Sequence, residues 1–227
     1  MNQGFKPKDR IQDRNTSYLQ EDDQYWTPRN YTGVYHGTVT LKRAFAYSYN
    51  AAAVSLTARV GIKNVIKTAQ RLGVVSEIRP YFSLALGASE ITLLELVYVY
   101  AAFAHGNRME PVIINRIIDR DTLTITEPRT TGSRVVGDKE RAYLKSLLRA
   151  VVLQGSGRKA AVLNRKVYGK TGTTNGYVDA WFIGFDDRIA VGVWVGRDTL
   201  TPIGEGESGS KAALPIWIEF MKGVRAQ

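Results

Sequence analysis

Apolar positions recur at helical spacing through the middle of this chain and at strand spacing toward its end. Ile62, Val65, Ile66, Ala69 and Leu72 share one stripe, and Gly73 follows where a left-handed residue ends a helix. Before that stripe, Thr40 is positioned to cap a short helix carrying Leu41, Ala44 and Phe45. Tyr47-Ser48-Tyr49-Asn50 then leads into an alanine-rich helix that stops near Gly61. Thr92 and Glu95 form a capping-box pattern ahead of Leu96–Ala104, and Gly106 closes that helix. Its apolar residues lie all round, which predicts burial. Val112–Ile118 and Thr122–Ile125 are β-branched and flank Asp119-Arg120-Asp121, predicting a small hairpin. Asp138 is expected to cap an amphipathic helix running to Leu153, with Gly155-Ser156-Gly157 as its stop.

From Val167 the period becomes that of strands. Ala180–Phe185 and Ile189–Gly196 are joined at Asp186-Asp187 as a second hairpin, and Ala212–Lys222 reads as a final helix. Residues 1–39 read as irregular, with turn formers dense from Trp26 to Gly33. There is no internal repeat and no low-complexity tract. Helices in the middle followed by strands give an α+β class.

Composition narrows the chemistry. The 227 residues are 44% hydrophobic and 23% charged, which is ordinary globular composition for one domain or two small ones. The absence of cysteine excludes a disulfide framework, a zinc ribbon and a thiol nucleophile. No apolar run reaches the ~18 residues of a membrane span; the longest, Ile91–Ala104, is interrupted by Glu95. The first 25 residues are charged and polar, unlike a signal peptide. Thirty-one basic against 21 acidic residues give a formal charge of +10. These bases are dispersed and accompany no nucleic-acid motif. They read first as a solvated surface, then as attraction for an anionic polymer or membrane surface, and nucleic acid is not expected as a partner.

Two short motifs carry chemistry. Ser48-Tyr49-Asn50 sits between two helices, and Lys170-Thr171-Gly172-Thr173 opens the strand-rich region. Taken singly, the first reads as a helix cap and the second as a basic turn. In this order they are similar to the Ser-x-Asn and Lys-Thr-Gly signatures of penicillin-recognising enzymes. Trp26–Tyr31 and Tyr35–Leu41 extend the likeness, as do Ser83–Glu90, Gly169–Asn175, Asp179–Phe182, Val193–Gly196 and Ala213–Trp217. Over nearly its whole length the chain resembles the transpeptidase domain of class A penicillin-binding proteins.

That resemblance implies a β-lactamase/transpeptidase-like fold, an antiparallel sheet with helices packed on it, as one domain over residues 1–227. It implies a D,D-transpeptidase that crosslinks peptidoglycan stem peptides through a serine acyl-enzyme. In such a site Lys170 sets a positive potential for the substrate carboxylate, and Thr171 and Thr173 donate to it. Gly172 lets the substrate backbone lie against the strand. The Thr173 N–H forms half of an oxyanion hole. Ser48 relays protons and Asn50 holds a substrate amide carbonyl. No metal and no cofactor is implied. The implied partners are stem peptides ending in D-Ala-D-Ala, and β-lactams where the domain is whole. The implied parent is anchored at the outer face of a bacterial cytoplasmic membrane.

One part of the family pattern is missing. The nucleophile motif Ser-x-x-Lys should precede Ser48, but the only earlier serine is Ser17, followed three positions on by Gln20. The expectation is an N-terminally truncated domain, inactive alone, with an exposed sheet face and strand edge that leave it marginally stable. Ser156-Gly157-Arg158-Lys159 and Ser208-Gly209-Ser210-Lys211 match the spacing formally. Both are glycine-rich and follow Ser48, which disqualifies them as a rigid nucleophile helix. The alternatives are a non-catalytic module that binds peptidoglycan stems or penicillin, and a serine β-lactamase sharing the motifs. Gly169-Lys170-Thr171 lacks the first glycine of a phosphate loop, since residue 164 is Asn. His36 and His105 have no partners at metal spacing and read as turn or surface residues. Trp181, Trp194 and Trp217 read as core aromatics, and Glu90 and Glu95 as helix-start carboxylates.

Overall fold

The structure is a computed structural model, and it describes residues 4–20, 23–114, 116–122, 125–127 and 132–224. Four short strands open it: β1 (Arg10–Asp13), β2 (Tyr18–Leu19), β3 (Tyr25–Trp26) and β4 (Gly37–Thr40). β1 pairs antiparallel with β4, setting Ile11 opposite Val39, and β2 pairs with β3. The N-terminal region is therefore not irregular. Its strands are too short to give a periodic signal, but in β1 Ile11 and Asp13 are buried while Arg10 and Gln12 are exposed.

Helices follow at the places set by their caps. α1 (Leu41–Tyr47) starts where Thr40 Oγ1 accepts from the Arg43 N–H. α2 (Asn50–Val60) and α3 (Ile62–Leu72) are separated by Gly61. Gly73, at φ 108°, ends α3 in a conformation that a side chain would strain. α4 (Leu93–His105) begins with the expected reciprocal box between Thr92 and Glu95.

The Glu95 carboxylate also accepts from the backbone N–H groups of Val75 and Ser76 and from the Ser76 hydroxyl, tying the loop after α3 to the start of α4. Burial alone raises its pKa. Hydrogen bonds from Ser76 and Thr92 overcome that and hold it at about 2. A carboxyl depressed in the folded state contributes stability that is complete above its ordinary range and lost as pH falls from about 4.5 toward 2. Glu95→Gln is thus expected to cost roughly 1–2 kcal/mol at pH 7. It should also flatten the acid limb of a thermal-melt series. An unchanged melting temperature at pH 7 would contradict this.

The next segment is peripheral. β5 (Asn107–Met109) precedes β6 (Ile117–Ile118) and β7 (Ile125–Thr126), which pair with each other, while β8 (Gly132–Arg134) pairs with β5. The expected hairpin is present in this narrower form; positions 115, 123 and 124 of the expected span lie outside the described residues. α5 (Asp138–Gln154) starts one residue earlier than its acidic residue suggests, with Gly137 at the cap. Asp138 does not cap the helix, because its carboxylate is held by Arg134 and Arg141.

β9 (Tyr168–Thr173), β10 (Ala180–Phe185) and β11 (Ala190–Val195) form an antiparallel sheet in the order β11-β10-β9. α6 (Ala213–Gly223) packs on one face. There Phe182 meets Trp217 edge-on at 4.9 Å, and the Trp217 indole N–H donates to the Val191 carbonyl. The other face meets α4 and α5, where Phe185 packs beside Tyr100 and Tyr168. A Cβ on Gly192 would press on Leu93 and Val97, so this glycine admits α4 to the sheet. Fully buried side chains of this size each contribute roughly 2–3 kcal/mol. Helices thus cover much of both faces, while the cross-strand pair Trp181 and Trp194 stays partly exposed at one end of the sheet. β9 and β11 are the edge strands. The tryptophans divide: Trp217 is core, Trp181 is half-buried, and Trp194 is 40% exposed with its indole N–H on Asp179.

Candidate active site

The two motifs, 122 residues apart in sequence, meet in space. Ser48 terminates α1 in the left-handed conformation, at φ 58° and ψ 47°. That turn lets Tyr49 cap α2 and makes Asn50 its first residue. Lys170, on edge strand β9, donates from Nζ to Ser48 Oγ at 2.9 Å and to the Thr171 carbonyl at 2.8 Å. Desolvation pushes its pKa down to about 8. An ammonium that loses its proton near neutrality, touching a hydroxyl, can set a field for an anion or exchange protons through that hydroxyl.

The remaining motif residues line up beside this pair. Thr171 is half-buried, with Oγ1 at 2.5 Å from Ser156 Oγ. Thr173 is exposed, and its Oγ1 accepts from the Gly209 N–H at 3.0 Å. Gly172 faces Trp181 across the ladder, and a Cβ there would come within 3.1 Å of the Trp181 Cβ. Asn50 donates from Nδ2 to the Arg29 carbonyl at 2.7 Å. Neither formal Ser-x-x-Lys match brings its serine and lysine together: Ser156 bonds to Thr171, Ser208 to Ser210, and Lys159 and Lys211 are exposed. Ser17 bonds to Thr27, and Gln20 accepts from the Phe82 N–H.

A buried polar hub behind Ser48–Asn50 has no counterpart in the expectations from sequence. Asp13, fully buried, accepts from Asn30 Nδ2 through both oxygens and from the His36 backbone N–H, and its Oδ2 lies 2.9 Å from His36 Nδ1. Asn30 Oδ1 accepts from the Ala51 N–H in the first turn of α2. The His36 ring stacks on Tyr49, the middle residue of the motif, at 4.0 Å and 6°. His36 is thus no idle turn residue; its partner is a carboxylate 23 positions upstream. The only cue in the sequence is that Asp13 shares the parity of Ile11 in β1. Tyr31 and Tyr177, 146 residues apart, touch hydroxyl to hydroxyl at 2.7 Å. Asp179 accepts from Trp194 and Thr174, as a strand-end structural carboxylate does.

A cleft of about 720 Å³ between α3 and α4, lined by Arg79, Tyr81, Ser83 and Glu90 among others, contains none of the motif residues. Among the described residues no three His, Asp or Glu side chains converge as a metal set, and no helix is long and apolar enough to cross a membrane.

Residues 1–222 match the family model described as the penicillin-binding protein transpeptidase domain. The chain belongs to this family. This transpeptidase-family chain is 44% identical over 200 residues to penicillin-binding protein 1A of Aquifex aeolicus, covering 88% of the chain and 27% of that relative. It is 32% identical over 220 residues to penicillin-binding protein 1A of Rickettsia prowazekii, covering 86% of the chain and 28% of the relative. It therefore spans little more than a quarter of the length of either relative. The crystal structure of penicillin-binding protein 1A from Haemophilus influenzae superposes with a TM-score of 0.89 at 26% identity, over 97% of this chain and 39% of that one. Penicillin-binding protein A of M. tuberculosis, solved as an imipenem acyl-enzyme complex, shares the fold: TM-score 0.76 at 22% identity, over 98% of this chain and 56% of that one. The family's α+β fold is thus the fold of this chain.

Proposed function

We propose that this chain carries the substrate-recognition and proton-relay part of a serine D,D-transpeptidase that crosslinks peptidoglycan stems. The observation that carries the reading is the 2.9 Å bond between Lys170 Nζ and Ser48 Oγ, which joins the two motifs at the edge of the sheet. Lys170 provides the positive potential for the terminal carboxylate of a D-Ala-D-Ala stem, and the hydroxyls of Thr171 and Thr173 donate to it. Substrate backbone lies along β9 at Gly172, an edge open to strand addition. The Thr173 N–H supplies one oxyanion donor, Ser48 passes a proton between Lys170 and the leaving amine, and Asn50 holds a substrate amide. No step calls on a metal or cofactor. Residues 1–227 contain no serine and lysine at the nucleophile spacing ahead of Ser48, so the acylated serine and its lysine come from outside them. Substrate chemistry places the working site at the outer face of the bacterial cytoplasmic membrane, in an anchored parent that β-lactams acylate.

Two measurements test this. Incubated with excess penicillin, the chain is expected to gain no mass equal to one penicillin in an intact-mass spectrum. Such an adduct would overturn the assignment of the nucleophile to another segment. In an NMR titration the chain is expected to bind an N-acyl-D-Ala-D-Ala acid reversibly, in preference to the same peptide as its C-terminal amide. Equal affinity for acid and amide would overturn the recognition role.

A further inference from the structure

The two glycine-rich loops that resemble nucleophile motifs lie directly behind the two threonines of β9. Ser156 Oγ is 2.5 Å from Thr171 Oγ1, and the Gly209 N–H donates to Thr173 Oγ1 at 3.0 Å. A hydroxyl has one proton and two acceptor lone pairs. The Gly209 amide can only donate, so it fills a lone pair of Thr173 and leaves that hydroxyl's proton free. Ser156 can do the same for Thr171, provided its own proton points toward Thr171. Hydrogen bonds in such a chain strengthen one another, because a hydroxyl that accepts becomes a better donor.

Close packing fixes both loops in place. A Cβ on Gly155 would fall 2.0 Å from the Ala46 carbonyl oxygen, and the Ser156 N–H donates to that same oxygen. Ala46 lies two residues before Ser48, so this loop clamps the end of α1 to β9, the two elements whose side chains meet as Ser48 and Lys170. A Cβ on Gly209 would meet the Trp181 and Gly172 carbonyl oxygens at 2.3 and 2.4 Å. Glycine at each loop is thus required by contact with the backbone. The sequence offers no role for these loops beyond the formal nucleophile spacing that the structure sets aside.

We propose that Ser156 and the Gly209 amide are positioning groups that occupy acceptor lone pairs of Thr171 and Thr173 and so direct both hydroxyl protons to an anionic carboxylate. The inference deepens the proposed function and rests on it. Its subject is the selectivity for a carboxylate over a neutral chain end. Ser156 acts through Thr171 and touches no substrate.

The test uses the 227-residue chain with N-acyl-D-Ala-D-Ala acid and its amide as probes, titrated by NMR against wild type, Ser156→Ala and Ser156→Thr. Ser156→Ala is expected to weaken the acid roughly fivefold while leaving amide affinity unchanged. Ser156→Thr keeps the hydroxyl and is expected to restore the acid preference. A purely structural role for Ser156 predicts acid and amide weakening together. That outcome, or an undiminished acid preference in a folded Ser156→Ala chain, overturns the inference while leaving the proposed function standing. Absence of any acid preference in the wild-type chain overturns both. If Ser156→Ala does not fold, Ser156→Cys decides the matter, because a thiol is a weaker donor of similar size; full acid preference there overturns the inference.

Discussion

Replacing Asp13 with alanine is expected to lower the melting temperature of the chain by about 6–12 °C, equivalent to ~3 kcal/mol. The carboxylate is fully buried and gathers Asn30 through both oxygens as well as the backbone and ring of His36. Its removal leaves the Asn30 amide, itself buried, with the Val34 carbonyl as its remaining acceptor. Leaving buried donors unsatisfied costs far more than the net worth of the bonds lost. Asp13→Asn is expected to be nearly as damaging, because an amide nitrogen would face the Asn30 or His36 donors. Gln12→Ala, on the exposed parity of β1, serves as the control and should shift the melt by less than 1 °C or so. The damage should also reach Ser48–Asn50, since Asn30 holds Ala51 and His36 stacks on Tyr49. Thermal melts by near-ultraviolet circular dichroism test this; a shift of under about 2 °C for Asp13→Ala would remove the hub from the account of stability.

What could be read from sequence divides by the range of the interaction. Thr40 as a cap, Thr92 with Glu95, and Gly73 after Leu72 are bonds and conformations set within a few residues, and each was legible. The hairpin of β10 and β11 was legible because alternation and the turn at Asp186-Asp187 agree. Family likeness carried the fold as a whole. The Asp13–His36 contact was not legible, because 23 residues of turn-rich chain separate the pair and pattern cannot register across them. Asp138 illustrates a nearer failure. A carboxylate at a helix start reads as a cap, yet Arg134 and Arg141 compete for it and win. Trp194 reads as core by size and strand position. It stands on edge strand β11, however, where Asp179 can reach its indole N–H and make exposure tolerable. For the motif residues, sequence offered names and order, while the bond that joins them across 122 residues belongs to the fold alone.

Lys170→Met is expected to abolish the preference for a peptide acid over its amide, a loss of ten- to a hundredfold in acid affinity. Methionine keeps the length and apolar stem of lysine while deleting the charge that would meet the carboxylate. Acidity makes the prediction sharper. Desolvation places the Lys170 pKa at about 8, so the free site loses its ammonium as pH rises through that value. Acid affinity in the wild-type chain should therefore fall with increasing pH above about 8, by up to tenfold per unit, while amide affinity stays level. A bound carboxylate favours the charged lysine, so binding near pH 8.5 should take up protons, which calorimetry in buffers of different ionisation enthalpy detects. The sign for stability is opposite to that of a salt-bridged lysine. A folded pKa below the ordinary 10.5 means that the unfolded chain binds more protons between about 8 and 10.5, so the contribution of Lys170 to stability rises with pH across that window. Lys170→Met should remove that rise and leave the protein no less stable at pH 7, where the wild-type chain bears the cost of desolvating an ammonium. A variant that lost both acid preference and several degrees of melting temperature at pH 7 would identify Lys170 as a structural tie between β9 and α1. Loss of the preference in a chain that melts where the wild type does would separate recognition from scaffold at this residue.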